Sequence, residues 1–445
     1  MTRRENTLLM GTPDVLEQKT ALLAREELDA FVDSFVRRRE VFLQARREHG
    51  SPLYVLEEDV LLHRAERFCV AFGDVLPDVC VYYAVKSNNC PHVAARLLRA
   101  GLGLDVSSGR ELEMALDCGA TDVVFSGPGK QDDELLLAVS HRDRVTVLID
   151  SFGELERLER VASGAGTTMR AGVRLTTDET GLWRKFGIPL SDLPRFIASA
   201  RECRHVMLRG LQFHTSWNMG PGNQVGFIAR LGAALASLDA AQRSWVEFVD
   251  IGGGFWPPQG EWLHPSCTPG GNPSLASFPP PSNSRDGHYK VPSTPIEEFA
   301  RRIGEAVRTH LFPQIACCVC AEPGRWLCND AMHILLTVVD KKADDMVITH
   351  AGTNAVGWQR FEVDYFPLIN LSRPALIERD CYVLGSLCTP HDVWGYSYYG
   401  VDIQRGDVLL IPTQGAYTYS LRQHFIKPLP DVALLSSREG PSAGP

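Results

Sequence analysis

Val81-Tyr82-Tyr83-Ala84-Val85-Lys86-Ser87-Asn88-Asn89-Cys90-Pro91 is the stretch on which the reading of this chain turns. An apolar run rich in β-branched and aromatic side chains ends in a single amine, and a polar loop closed by proline follows. At the C-terminal mouth of a parallel barrel strand an amine is partly desolvated, which lowers its pKa and frees the lone pair to attack an aldehyde. The same segment also reads as a surface lysine after an edge strand, with its stem on apolar surface and its head in water. The segment by itself leaves both readings open.

Outward from this stretch, Pro52 begins an alternation of short apolar strands and helical stretches. Leu53-Tyr54-Val55-Leu56 reads as a first strand, a helix runs through Phe68, and the lysine strand comes next. Further candidate strands are 104–106, 123–125, 145–149, 171–175, 208–213 and 248–251, with helical stretches at 109–118, 152–162 and 223–239 among them. Such alternation argues for an α/β fold with a parallel sheet, expected here to close as a TIM-type (β/α)8 barrel. Upstream, Leu22, Leu23, Leu28, Phe31, Val32, Phe35 and Val36 recur at roughly helical spacing, so residues 1–48 read as an N-terminal helical extension. Residues 256–295, crowded with proline, glycine and serine, form an irregular insertion that fits a lid or a passive loop equally well. After a helix at 296–311, β-branched and aromatic segments separated by turn residues run from Val319 to about Leu434. The expected organisation is therefore the extension 1–48, a barrel over 49–312 carrying the insertion, and a mainly β C-terminal domain over 313–445.

Length and composition agree. A chain of 445 residues exceeds one compact core and accommodates a barrel of about 250 residues plus a second domain. Hydrophobic residues at 44% and charged ones at 22% are ordinary for a globular enzyme, and 45 basic against 54 acidic side chains leave no basic surface for nucleic acid. The arginines at 37–39 and 46–47 are interleaved with Glu40 and Glu48, as on a solvated helix face. No apolar run reaches the roughly 18 residues that cross a bilayer, and the polar start Met1-Thr2-Arg3-Arg4-Glu5-Asn6 has no signal-peptide core. A cytoplasmic protein without membrane contact is expected. The twelve cysteines are scattered, several within apolar runs, which suits reduced thiols better than disulfides. Cys318, Cys320 and Cys328 do not fall in the paired-loop pattern of a zinc site, and no metal is expected.

Tyr83-Ala84-Val85-Lys86-Ser87-Asn88 resembles the cofactor-lysine motif of the pyridoxal-phosphate (PLP) decarboxylases with an alanine-racemase-like, fold type III barrel: the ornithine/diaminopimelate/arginine decarboxylase family. Further segments agree in the family's order. They are Gly103-Leu104-Asp105-Val106-Ser107-Ser108 with Glu111, Phe213-His214-Thr215-Ser216, Asp250-Ile251-Gly252-Gly253-Gly254-Phe255, Glu322-Pro323-Gly324-Arg325, Gly385-Ser386-Leu387-Cys388 with Asp392, and Gly415-Ala416-Tyr417. The resemblance spans roughly residues 50–430, and ordered motifs are far harder to meet by chance than one lysine.

The resemblance implies pyridoxal 5'-phosphate as cofactor, carried by Lys86. It makes Glu322 the partner of the pyridinium nitrogen, where a carboxylate raises that nitrogen's pKa. It assigns the cofactor phosphate to Gly252, Gly253, Gly254, Arg325 and Tyr417, because glycine lets main-chain N–H groups approach a dianion and Arg325 adds a bidentate cation. His214 is implied to stack on the cofactor ring, while Asp105, Glu111 and Arg174 match positions around the lysine and cofactor. Thr215-Ser216-Trp217 departs from the family's Val-Gly-Ser order, which leaves Ser216 as a shifted phosphate contact. The plainer readings are an exposed carboxylate, a glycine turn, a satisfied polar histidine and charges at strand ends.

Cys388 resembles the cysteine that returns a proton to the reacting carbon, reaching the site from the neighbouring subunit, so a homodimer with shared active sites is implied. Asp392 matches a partner-chain aspartate, and Asp364 lies near a substrate aspartate of the family. One departure bears on substrate. Diamine-forming and diaminopimelate enzymes usually carry an acidic residue directly after the cysteine, where this chain has Thr389. A neutral hydroxyl cannot pair with a distal ammonium. The expected activity is a PLP-dependent carboxy-lyase acting on an amino acid or a conjugated or carrier-bound amino-acid unit, in specialised amino-acid metabolism such as polyamine, siderophore or antibiotic assembly. Three alternatives stay open: a decarboxylase of ornithine, lysine or diaminopimelate using Asp364, a racemase on the same barrel, and a non-catalytic regulatory homologue. Cys388 in its Gly-Ser-Leu-Cys context weighs against the racemase, and the joint retention of Lys86, Glu322, Arg325 and Cys388 weighs against the regulator.

Overall fold

A computed structural model of the protein describes residues 21–264, 287–357 and 364–435. In chain order its strands are β1 (Ala21–Leu22), β2 (Leu53–Glu57), β3 (Val79–Ala84), β4 (Gly103–Val106), β5 (Val123–Phe125), β6 (Val145–Ile149), β7 (Met169–Leu175), β8 (Val206–Phe213), β9 (Phe248–Asp250), β10 (Glu261–Leu263), β11 (Tyr289–Val291) and β12 (Cys318–Ala321). They continue as β13 (Met332–Ala343), β14 (Met346–Thr349), β15 (Ile369–Asn370), β16 (Glu378–Leu384), β17 (Val393–Tyr399), β18 (Val408–Ile411) and β19 (Asp431–Leu435). The chain divides into two compact units.

One unit comprises Leu62–Trp256 and Thr294–Leu327. Its eight strands, in the order β12-β3-β4-β5-β6-β7-β8-β9, close into a barrel through parallel pairings. Alternate residues of a strand face one side, so each barrel strand sends every second side chain inward. Tyr82, Val124, Leu148, Phe248 and Cys320 form one such apolar layer. The Phe248 ring fits because β7 and β8 offer glycine beside it: a Cβ on Gly210 would lie 2.0 Å from that ring, and one on Gly172 would lie 3.0 Å from it. Helices start where a serine caps them. Ser108 accepts from the Glu111 N–H at the head of the helix Gly109–Asp117, and Ser151 accepts from the Glu154 N–H at the head of Phe152–Gly164.

The barrel has the expected class, but one of its strands is not the expected one. Leu53–Leu56, read as the first barrel strand, instead pairs antiparallel with β13 and parallel with β19 in the other unit. The eighth barrel strand is β12, which joins β9 to β3 and carries the barrel through Leu327 rather than ending it at 312. Both segments are short and almost wholly buried, and apolar content fixes burial without naming the sheet that provides it.

The second unit gathers Met1–Leu61, Pro257–Ser293 and Cys328–Pro445. Its main sheet has eight strands in the order β14-β16-β17-β15-β18-β13-β2-β19, and β14 also pairs with β13. The N-terminal helices Arg25–Val36 and Arg39–His49 find their partner face here, since Leu28, Val32, Phe35 and Phe42 pack with Leu53, Val55, Leu335, Ile369 and Leu410. Within the stretch read as an insertion, β10 and β11 pair antiparallel and β11 pairs with β1, so its described ends are ordered strands; residues 265–286 lie outside the described residues. Among the described residues no helix is long and apolar enough to cross a membrane, and no disulfide joins the cysteines.

Candidate active site

β3 ends at Ala84 and the chain enters a 3-10 turn over Val85–Ser87, which puts Lys86 just past the C-terminal end of its strand. Its Nζ lies 2.7 Å from Asp105 Oδ2, and the Lys86 side chain is 32% exposed while that of Asp105 is wholly buried. Asp105 stands on β4 in register with Ala84. Its other oxygen, Oδ1, accepts from the Ser126 hydroxyl at 2.5 Å. Burial, together with the negative charge of Glu322, raises the Asp105 carboxyl to about 6 even though Lys86 and Ser126 oppose the rise.

The second focus is Glu322, just past the end of β12. Burial alone would raise its pKa, but the positive charges of Lys86 and Arg174 nearby oppose that, and the carboxyl is held down at about 2. Gln212 Nε2 sits 3.4 Å from each of its oxygens. His214 Nδ1 lies 3.7 Å from Glu322 Oε2 and accepts from the Gly253 N–H at 3.1 Å, which leaves the ring proton on Nε2. Burial and the nearby charges of Lys86 and Arg174 lower the His214 pKa and favour the neutral ring. Asp250, wholly buried, has its pKa pushed far up by burial and by the charge of Glu322. Asp250 Oδ1 accepts from the Gly252 N–H at 2.8 Å, and its Oδ2 is a buried oxygen with no hydrogen-bond partner.

The glycine triplet is required by close approach. A Cβ on Gly252 would lie 2.4 Å from Phe213 O, one on Gly253 2.3 Å from Glu322 O, and one on Gly254 2.0 Å from Thr215 O. Gly252 and Gly254 also have φ of +66° and +83°, where glycine is favoured. The N–H groups of Gly252 and Gly253 are engaged by Asp250 and His214, so Gly254 is the member of the triplet whose N–H suits an anion. Asn218 ties the loop after β8 to this bend, donating its N–H to Gly254 O at 3.0 Å and its amide to Thr215 Oγ1 at 2.8 Å. Ser216, half-buried, lies in that loop beside the exposed Trp217. Arg174 near the end of β7 lies 4.6 Å from the Phe186 ring, and Arg325 lies 4.4 Å from the Trp256 ring. Glu111 accepts from the Ser107 N–H at 2.7 Å and so organises the loop after β4, while burial raises its pKa.

The remaining expected site residues, Asp364, Cys388, Thr389, Asp392 and Tyr417, belong to the other unit. Cys388 is exposed on the loop between β16 and β17. Thr389 Oγ1 accepts from the His391 N–H at 3.3 Å, a local turn bond. Asp392 is tied into its own loop. It is 2% exposed and accepts from Leu387 N–H at 2.6 Å, Thr353 N–H at 2.7 Å and Thr353 Oγ1 at 3.0 Å, which makes it the brace of the Cys388 loop. Asp364, half-buried, bridges Leu263, and Tyr417 takes φ +57° in the turn after β18.

Ser126, Gln212 and Asn218 are parts of the site that lie outside the motifs, and Asp250, quoted with its glycine triplet, was given no role there. Gln212 was within reach of strand parity, since it lies on β8 two residues before His214. Nothing in the local sequence marks Asn218.

The geometry sets an amine, a buried ionised carboxylate and a glycine bend at the strand ends of one barrel. It fits the demands of PLP, which offers an aldehyde to a lysine, a ring nitrogen to an anion and a phosphate to backbone donors. The Glu322 carboxylate, with the long Gln212 contacts and His214 beside it, suits a protonated ring nitrogen as donor. Residues 62–265 match the pyridoxal-binding domain of the pyridoxal-dependent decarboxylases. The diaminopimelate decarboxylase of Aquifex aeolicus is 24% identical over 398 residues, covering 84% of each chain. The L-glutamyl-[BtrI acyl-carrier protein] decarboxylase of Niallia circulans is 25% identical over 378 residues, covering 79% of this chain and 81% of that one. Among solved structures, diaminopimelate decarboxylase from Helicobacter pylori with L-lysine superposes with a TM-score of 0.70 at 20% identity, over 89% of this chain and 94% of that one. Lysine/ornithine decarboxylase from Vibrio vulnificus with putrescine gives 0.70 at 21%, over 89% and 98%. Residues 62–265 thus form a pyridoxal-binding domain of the kind found in the pyridoxal-dependent decarboxylases, and the cofactor that these residues fit is pyridoxal 5'-phosphate.

Proposed function

We propose that the protein is a cytoplasmic homodimeric decarboxylase that removes the α-carboxylate from an amino-acid unit carried in a conjugate or on a carrier protein, as a step of a specialised biosynthetic pathway. The observation that carries this reading is the Cys388 loop. Thr389 is neutral and its hydroxyl serves the local turn, and Asp392 is spent on Leu387 and Thr353, so neither side chain of this loop pairs with a distal ammonium. The likeness to an enzyme whose name specifies a glutamyl unit on an acyl-carrier protein points the same way.

When bound, PLP supplies the electron sink for the pair left as CO2 departs. Lys86 carries the cofactor, and Asp105, 2.7 Å from Nζ, orients the amine and stabilises its charged form. Glu322, ionised and buried, keeps a proton on the ring nitrogen. His214, whose Nδ1 accepts from the Gly253 N–H, would offer the flat face of its imidazole to the ring, and Gln212 and Asp250 flank the carboxylate. Gly252, Gly253 and Gly254 would shape the bend that admits the phosphate, and by the resemblance Arg325, Ser216 and Tyr417 would also hold it. Arg174 and Glu111 balance charge beside Glu322 and Lys86. Cys388 delivers the proton to the carbon that lost CO2, in a dimer whose sites draw on both chains.

The test is mass spectrometry of PLP-loaded protein given two substrate sets, scored for loss of CO2. One is a pool of ornithine, lysine and diaminopimelate, and the other is amino-acid units thioesterified to a phosphopantetheinyl carrier. Turnover confined to the carrier set is the expected result. Rapid conversion of a diamino acid would overturn it and shift the amine-binding role to Asp364.

A further inference from the structure

The end of the barrel away from Lys86 holds a feature that decarboxylation does not use. Cys80 is the second residue of β3, about 13 Å of extended strand before Ala84. It lies in register with Cys320 of β12, and Cys318 is two residues earlier on the same face of β12. The three sulfur atoms all lie within 4.8 Å of one another, and the Cys80 and Cys318 sulfurs are 3.4 Å apart. Cys320 is 4% exposed, and all three cysteines pack against the apolar layer of Tyr82, Val124, Leu148 and Phe248. Cys80 and Cys318 are only partly buried, which gives the cluster an open side toward solvent.

We propose that Cys80, Cys318 and Cys320 form a thiolate site for a thiophilic d10 cation, zinc(II), at the end of the barrel opposite Lys86, with solvent completing the coordination. A cation bonded to sulfur at about 2.3 Å separates its ligand sulfurs by about 3.8–4.0 Å, inside the spread found here. Sulfur ligands select soft cations, and the dry wall on one side with access on the other suits three protein ligands, one solvent position and an entry path. Binding is a ligand exchange: zinc(II) displaces three thiol protons to solvent and leaves one net negative charge. Arg170, 5.6 Å from the Phe248 ring and paired with Glu247 at 3.3 Å, is the cation placed to offset that charge at the rim. Because β12 and β3 are the last and first barrel strands, the bound ion ties the seam at which the barrel closes. Cys328, which the sequence groups with Cys318 and Cys320, is not part of the cluster, whereas Cys80 is contributed from 238 residues away.

The test uses reduced, PLP-loaded protein titrated anaerobically with Cd2+ as a spectroscopic probe, then with Zn2+ in competition. One saturable equivalent per chain with thiolate-to-cadmium charge-transfer absorption is expected, together with a zinc-dependent rise in melting temperature. Cys80→Ser and Cys318→Ser should weaken binding at least 100-fold and abolish the thermal shift, while Cys118→Ser should leave both unchanged. Absence of a saturable equivalent in the wild type, or undiminished binding in the two site variants, overturns the proposal. X-ray absorption of the zinc-loaded wild type keeps the test independent of how the variants fold: three sulfur neighbours support the site, and fewer refute it.

Discussion

Gly253→Ala adds one methyl group at the point where the bend after β9 crosses the end of β12. The new Cβ would lie 2.3 Å from the Glu322 carbonyl oxygen, whereas ordinary contact begins at 3.4 Å, so that backbone must retreat by about 1 Å. Glu322 cannot retreat without cost, because its own N–H donates to Gly252 O at 2.9 Å. Overpacking of this kind costs about 1–3 kcal/mol, and a weakened backbone hydrogen bond adds about 1 kcal/mol. We expect the barrel to lose about 2–4 kcal/mol in urea unfolding followed by tryptophan fluorescence without PLP. Cofactor affinity should fall on the order of 100-fold, since a carboxylate displaced by about 1 Å no longer meets the ring nitrogen. Gly226→Ala is the matched control. Gly226 lies within the helix Gly222–Ala236 and its added Cβ would meet nothing within 4 Å, so that substitution should stabilise by about 0.5–1 kcal/mol. A Gly253→Ala protein within 0.5 kcal/mol of wild type with undiminished PLP binding would refute the reasoning, as would both variants shifting in the same direction.

Lys86→Ala should abolish turnover and the lysine-linked absorbance of the cofactor while leaving the urea midpoint near that of wild type. Cys388→Ala should slow turnover and send a fraction of events to transamination, read as pyridoxamine phosphate by chromatography; an unchanged product ratio would remove Cys388 from the proton-donor role. Acid stability tests the other unit. Glu57 accepts from His333 at 2.7 Å and from Arg38 at 2.5 Å. Although burial opposes them, these partners hold the Glu57 carboxyl at about 2 rather than 4.5. Such a depressed carboxyl contributes stability, at most about 3 kcal/mol, that is fully present above pH 4.5 and disappears as pH falls through 2. Glu57→Gln should therefore lower the urea midpoint of that unit at pH 7 and converge with wild type near pH 2; an equal loss at both pH values would point to packing instead of charge.

Much of this protein is legible in its sequence because its chemistry is local. A lysine directly after a strand, a glycine triplet after another and Glu-Pro-Gly-Arg after a third are each complete within a few residues, and seven of the eight barrel strands follow from apolar runs between helices. The backbone period of two then fixes which residues share a strand face, so Gln212 was implicit in His214. What the sequence left undecided is partnership at long range. The same apolar content serves Leu53–Glu57 in a mixed sheet and Cys318–Ala321 in a barrel, because burial is a property of the residue and pairing a property of the fold. Asp392 became the brace of the Cys388 loop only when Thr353 was brought beside it, and Cys80 met Cys318 only when the barrel closed. Local motifs record what each segment can do, and tertiary pairing decides which distant groups share a site, because a hydrogen bond or a sulfur contact depends on distances that no single segment encodes.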